Sequence, residues 1–290
     1  MSHPVELVID AGPRDLGDGF TVRRALPHRT RRSVGPFVFF DQMGPVDFPP
    51  GKGMDVRPHP HIGLSTLTYL FDGRVTHRDS LGFEQVIRPG DVNWMTAGRG
   101  IVHSERTEHR HCAEGMRLFG IQTWVALPEA DQEVEPSFHH HPQDTLPTWT
   151  EGGASVRLVA GSYAGRTSPV CVYAPMFDLA VEAPAGARVV LPAEHEEAAI
   201  YSAEGAVQVG GQRYEAGQLL VMAPGAELTF DALEDAKVMV FGGAPLDGPR
   251  HMFWNFVSTS KERIEVGKAD WRAMRFGTVP GDDEFTPLPE

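Results

Sequence analysis

Two blocks of this chain recur in the same order, and that repeat decides between one large β-sandwich and two smaller ones. TYLFDGRV at 68–75 parallels IYSAEGAV at 200–207, with Tyr69 meeting Tyr201, Gly73 meeting Gly205 and Val75 meeting Val207, all at an offset of 132. RPGDVNWMTAGR at 88–99 parallels EAGQLLVMAPGA at 215–226, with Gly90 on Gly217, Met95 on Met222 and Gly98 on Gly225, now at 127. A constant offset that drops by five means that the hairpin between the blocks is five residues shorter in the second copy. Around the blocks, 31 glycines and 24 prolines punctuate short alternating runs such as FTVRRAL, STLTYLF, GIQTWVAL, SVRLVAG, VCVYAPMFDLAV, RVVLPA, AAIYSA, AVQVG, LLVMA and KVMVFGG. Period-two alternation bounded by turn residues reads as strand. The expected protein is all-β, with two copies of a barrel: an N-terminal domain over 1–130 and a C-terminal one over 154–246. The Pro- and acid-rich stretch 131–153, inside LPEADQEVEPSFHHHPQDTLPTWTEGG, is read as their connection. A tail over 247–290 holds the one helical pattern, STSKERIEVGKADWRAMRF. Ser258, Thr259 and Ser260 are candidate caps there, and Ile264, Val266, Trp271 and Met274 are candidate packing positions.

RPHPHIGLSTLTYLFDG places His59 and His61 directly before a strand of the first copy. Residues i and i+2 of a strand share a face, so both imidazoles can reach one point inside a barrel. GRGIVHSE repeats the spacing with His103 and Glu105. Three imidazoles and a carboxylate suit Fe(II), Mn, Ni, Co or Cu(II) and suit calcium or magnesium poorly. The second copy is an internal control, because the two offsets carry His59, His61, His103 and Glu105 onto Leu191, Ala193, Phe230 and Ala232. The second barrel is therefore expected to be structural. His195, the pair His109 and His111 in a charged loop, and the triplet His139, His140 and His141 are assigned no chemistry.

The net charge of −13 argues against DNA or RNA as a ligand. Cys112 and Cys171 are read as two reduced thiols, too few for a disulfide framework. MSHPVELVID lacks the basic flank and apolar run of a leader, and no window approaches the roughly 18 apolar residues of a membrane span. A cytoplasmic protein without a membrane partner is expected.

The sequence resembles the pirin family, a branch of the cupin superfamily. The motifs that carry the resemblance are GPFVFFDQMGP, PHPHIGLSTLTYLFDG, PGDVNWMTAGRGIVHSE and WNFVSTSKERIEVGKADWRAMRFG. Gly53, His59, His61 and Gly73 fit the first cupin motif, but Ser65 or Thr66 stands where its glutamate belongs, and Glu105 after His103 supplies the carboxylate as in pirins. The resemblance implies two tandem cupin barrels, double-stranded β-helices of the jelly-roll type, followed by a short helix. It implies one divalent metal in the first barrel, Fe(II) foremost and Ni, Mn, Co, Cu or Zn as alternatives. It also implies chemistry like that of quercetin 2,3-dioxygenase, with O2 and a small aromatic or enediol substrate and with Glu105 as ligand and proton acceptor. Phe39, Phe40, Asp41 and Met43 are candidate pocket residues. A metal- or redox-responsive regulator that binds a transcription factor or metabolic enzyme is the alternative, and a cupin sugar isomerase a third reading. A monomer is expected, the second barrel covering the face that a single cupin would bury.

Overall fold

The computed structural model describes residues 3–16 and 20–289, the side chain of His111 excepted. Each of the two compact units pairs a large antiparallel sheet with a four-stranded one. One unit comprises residues 14–22, 42–143 and 246–290; the other comprises the chain up to Pro13 with 23–41 and 144–245.

In the first unit the small sheet runs Asp55–His61, Ile101–Arg106, Val75–Asp79, Glu84–Ile87. The central strands of the large sheet run Val92–Thr96, Leu64–Asp72, Met116–Ala126. The second unit repeats both orders. Its small sheet runs Arg188–Leu191, Leu228–Ala232, Val207–Val209, Gln212–Tyr214, and the large one runs Gln218–Met222, Glu197–Glu204, Ala236–Gly243, Met176–Ala183. These are two cupin barrels of one topology.

The edge strands come from elsewhere in the chain. Val5–Asp10 pairs with Gln218–Met222 of the second unit, and Ser137–His141 pairs with Val92–Thr96 of the first. The His139–His141 triplet is thus an edge strand, with His140 Nδ1 2.7 Å from Asn93 Oδ1. VCVYAPMFDLAV is strand only from Met176, because Pro169 and Pro175 bracket its first half and a proline has no N–H to give a ladder. TEHRHCAEG contains a single helical turn, His109–Cys112, with His109 exposed, and the side chain of His111 lies outside the described residues. Cys112 is buried and Cys171 exposed, both as free thiols.

The C-terminal helix spans Lys261–Arg272, and Ser260 caps it by accepting from the Arg263 N–H. Its buried face is Ile264, Gly267 and Trp271, at the i, i+3, i+7 spacing of one helical stripe. Val266 and Met274, expected to pack, are exposed. Gly267 lets the helix close on Ile62, since a Cβ there would sit 3.0 Å from the Ile62 Cδ1. The strand Phe256–Ser258 backs the same segment through a bond from Val257 N–H to the Ile62 carbonyl. That approach requires Gly63: at φ +68, a Cβ would lie 2.0 Å from the Val257 carbonyl oxygen. The Ile-Gly after the second histidine therefore seats the end of the histidine strand. Among the described residues no helix is long and apolar enough to cross a membrane.

Candidate metal centre

The strand Ile101–Arg106 lies between Asp55–His61 and Val75–Asp79, and its register creates the site. His103 is the direct cross-strand partner of His59 on one side and of Asp79 on the other. Directly paired residues project from one face of a sheet, and His61 follows two residues after His59, so three imidazoles converge without any loop having to order them. His59, His61 and His103 form one group whose candidate ligand atoms all lie within 4.8 Å of one another. Ring centroids are 4.4 Å apart for His59 and His103 and 4.9 Å for His61 and His103.

Burial sets their electrostatics. Removal from water pushes the His61 and His103 imidazoles well below their ordinary range, assisted by neighbouring histidines. His59 is also lowered by burial, partly offset by its bond to the Arg57 carbonyl and by the charge of Glu105. Neutral imidazoles are the form that binds metal. His59 Nδ1 lies 2.8 Å from the Arg57 carbonyl oxygen; only an N–H can face a carbonyl, which leaves Nε2 with its lone pair. His61 Nε2 and His103 Nε2 stand 3.0 Å apart. Two nitrogens bound at about 2.1 Å to one ion at a right angle would be separated by about 3.0 Å. The residues present thus fit a transition-metal ion.

Glu105 lies on the same strand, beyond a register shift that follows His103. Its carboxylate is outside the three-histidine group and accepts from the Gln122 amide at 2.7 and 2.9 Å and from the Thr68 hydroxyl at 3.3 Å. The expected pocket residues have partners of their own. Phe40 packs on Tyr201 and Phe241 at 4.6 and 5.0 Å. Asp41 pairs with Arg24, whose guanidinium covers Phe39 at 4.3 Å. Met43 sits in a cluster with Phe20, Leu70 and Leu118.

Around the histidines stand residues that the sequence pattern alone did not single out. His77 Nδ1 is 3.3 Å from His103 Nδ1, and its Nε2 is 2.9 Å from Asp79 Oδ2. Its ring stacks on Phe138 at 4.1 Å. Trp124 meets His61 edge to face at 5.2 Å. The missed signal is the same i, i+2 spacing: His77 with Asp79 in THRD, and Gln122 with Trp124 in IQTW.

Among the described residues the second barrel carries no counterpart of the three-histidine group. Its ladder sets Val189 opposite Phe230 and Leu191 opposite Leu228, where the first sets His59 opposite His103 and His61 opposite Ile101. By pairing, then, His59 and His61 correspond to Val189 and Leu191, two residues earlier than a constant offset gives, because the segment between this strand and the next, from Leu191 to Tyr201, is two residues longer than that from His61 to Tyr69.

A pair of cupin barrels with a buried three-histidine centre in one of them defines the class. The family descriptions Pirin and Pirin C-terminal cupin domain match residues 19–125 and 178–277. A pirin-like protein of Caulobacter vibrioides is 52% identical over 290 residues, 99% of this chain and 100% of its own length. A Pseudomonas aeruginosa protein with the provisional name quercetin 2,3-dioxygenase PA1205 is 40% identical, over 93% of this chain and 85% of its own. A crystal structure of quercetin 2,3-dioxygenase from Acinetobacter baumannii superposes with a TM-score of 0.90 at 33% identity, covering 98% of this chain and 94% of that one. The chain belongs to the pirin family.

Proposed function

We propose that the protein is a metal-dependent oxidoreductase of the quercetin 2,3-dioxygenase type, acting on a flavonol or similar enediol at the first barrel. The observation that carries this reading is the buried group His59, His61 and His103, confined to one of two barrels with the same strand order. The relatives bearing the dioxygenase name support it. A divalent ion, Fe(II) foremost and Ni, Mn, Co, Cu or Zn as alternatives, would be held by these histidines with Glu105 completing the set. When bound it would supply Lewis-acid and redox chemistry toward a substrate hydroxyl and O2.

The chain's own residues have separable roles. Glu105 accepts the proton of the substrate hydroxyl, and Gln122, donating to both of its oxygens, fixes where the carboxylate stands. Burial of the three imidazoles keeps them unprotonated and keeps bulk water from competing for their lone pairs. The same reading expects a cytoplasmic monomer with a small-molecule substrate and no nucleic-acid partner, in keeping with the net charge of −13.

The test is oxygen consumption by the iron, nickel, manganese and copper forms with quercetin, other enediols and sugars. Uptake of O2 with quercetin or an enediol, lost on Glu105→Gln, is the expected result. No uptake by any form overturns the dioxygenase reading and leaves a binding or isomerase role for the same centre.

A further inference from the structure

Behind the histidine that pairs with both neighbouring strands lies a second layer of buried polar groups. His77 and Asp79 are 3% and 0% exposed. Asp79 Oδ1 accepts the backbone N–H of Leu81 at 2.9 Å and of Phe83 at 3.1 Å, the hairpin that follows its strand, so its other oxygen is the one turned to His77. A carboxylate offers only acceptors, and therefore the His77 Nε2 that faces it carries the hydrogen. In the neutral ring His77 Nδ1 is then a lone pair, and it stands 3.3 Å from His103 Nδ1. For that contact to be a hydrogen bond His103 must carry its hydrogen on Nδ1, leaving Nε2 bare on the side where His61 Nε2 stands at 3.0 Å.

We infer that Asp79 and His77 are positioning residues whose hydrogen-bond chain, Asp79 to His77 to His103, fixes the tautomer and ring orientation of His103 so that its Nε2 lone pair is presented to a metal. The inference rests on the metal-centre reading and deepens it, because it assigns the determinant of one ligand's readiness to two residues that touch no ion. Such outer partners typically change metal affinity about 10- to 100-fold when replaced. His77 is well placed to act in this way, since the stack on Phe138 holds its ring, and the strand register sets Asp79 directly opposite His103.

Asp79→Asn gives a nearly isosteric test with a defined direction. The two hairpin N–H groups keep the amide oxygen, so the amide NH2 must face His77 Nε2. His77 is thereby driven to carry its hydrogen on Nδ1, and His103 is driven to the tautomer with Nε2–H, which blocks the metal position. Histidine 15N NMR of the metal-free protein reads the tautomers directly. The wild type is expected to have His103 protonated at Nδ1 and bare at Nε2, and Asp79→Asn the reverse. Nickel(II) and zinc(II) affinity, measured by competition with a chelating dye, is expected to fall about 10- to 100-fold in Asp79→Asn.

His77→Phe keeps the stack and removes the acceptor, so it should lose a similar factor. His77→Gln restores an acceptor and a donor and should stay within about threefold of wild type. An Nε2–H tautomer of His103 in the wild type overturns the inference, as does equal affinity of the Phe and Gln variants. Should Asp79→Asn not fold, the wild-type tautomer and the Phe-to-Gln affinity ratio decide it alone. A wild type that takes up neither metal refutes the metal centre instead, and the tautomer measurement still decides the hydrogen-bond chain.

Discussion

The two barrels share a strand order and differ in what their small sheets turn inward. In the first, His59, His61, His103 and Glu105 are buried together with His77 and Asp79. In the second the corresponding strands place Val189, Leu191, Leu228, Phe230 and Ala232 in one apolar cluster with Ile200, Leu220 and Val238. Among the described residues, that unit buries only Asp41, Ser168, Asp178 and Ser202 as polar side chains. A buried polar group costs stability unless it is partnered. The first barrel offsets part of that cost with a network: Ser65 to Thr96 at 3.1 Å, Trp94 Nε1 to Thr96 at 3.1 Å, Gln122 and Thr68 to Glu105, and His77 to Asp79. One copy of the duplicated frame thus buries a cluster of polar and ionisable side chains while the other is packed with apolar ones, and the comparison teaches that the strand pattern builds the barrel without specifying a site.

The division should appear as two separable losses. His59→Ala is expected to have the largest effect: metal binding weakens by more than about 100-fold, because one of the four proposed ligands is gone while the cavity remains. Elemental analysis after dialysis against chelator reads this, and undiminished stoichiometric metal would remove His59 from the site. Phe230→Ala tests the other side. Its ring is fully buried at the position paired with Val189, and its truncation is expected to cost about 3–5 kcal/mol in denaturant unfolding. Metal content should stay at the wild-type level. Loss of metal in this variant would break the claim that the second barrel is only structural.

Much of this is legible in the chain. Turn glycines and period-two alternation suffice for two β-barrels, and i, i+2 histidines suffice for the centre, since strand geometry converts that spacing directly into a shared face. Less legible is anything that depends on pairing between distant segments. VELVID carries no mark that it joins Gln218–Met222, and SFHHH, whose surroundings have the composition of a linker, completes the sheet beside Val92–Thr96. Register is equally hidden: the offset puts Leu191 at the place of His59, whereas the ladder puts Val189 there. Nor does helical spacing alone choose between Ile264 and Val266 for burial; the close approach permitted at Gly267 does. His77 and Asp79 are readable by the same period as the ligands, but a His-x-Asp pair gains meaning only once its strand is known to flank His103.

The two barrels also hold buried ionisable groups of opposite consequence. In the metal-free protein His59, His61 and His103 are held low by burial. The unfolded chain therefore takes up protons on them first as pH falls below the ordinary 6.5. Their contribution to stability is complete above that value and is lost on the acid side. Asp178 of the second barrel is the reverse case. It is fully buried, neither carboxylate oxygen has a hydrogen-bond partner, and desolvation pushes its pKa well above the ordinary 3.8. The folded state keeps the proton that the unfolded chain has released, so stability falls as pH rises above 3.8 toward the folded value. Asp178→Asn removes that ionisation and is expected to be more stable than the wild type at pH 8, by an amount that grows by up to about 1.4 kcal/mol per pH unit above 3.8. The gain should shrink toward zero near pH 4, where the wild-type carboxyl is protonated in both states. Thermal unfolding of both proteins from pH 4 to 8 measures it, and a gain that does not change with pH would mean that Asp178 is not the titrating group of the second barrel.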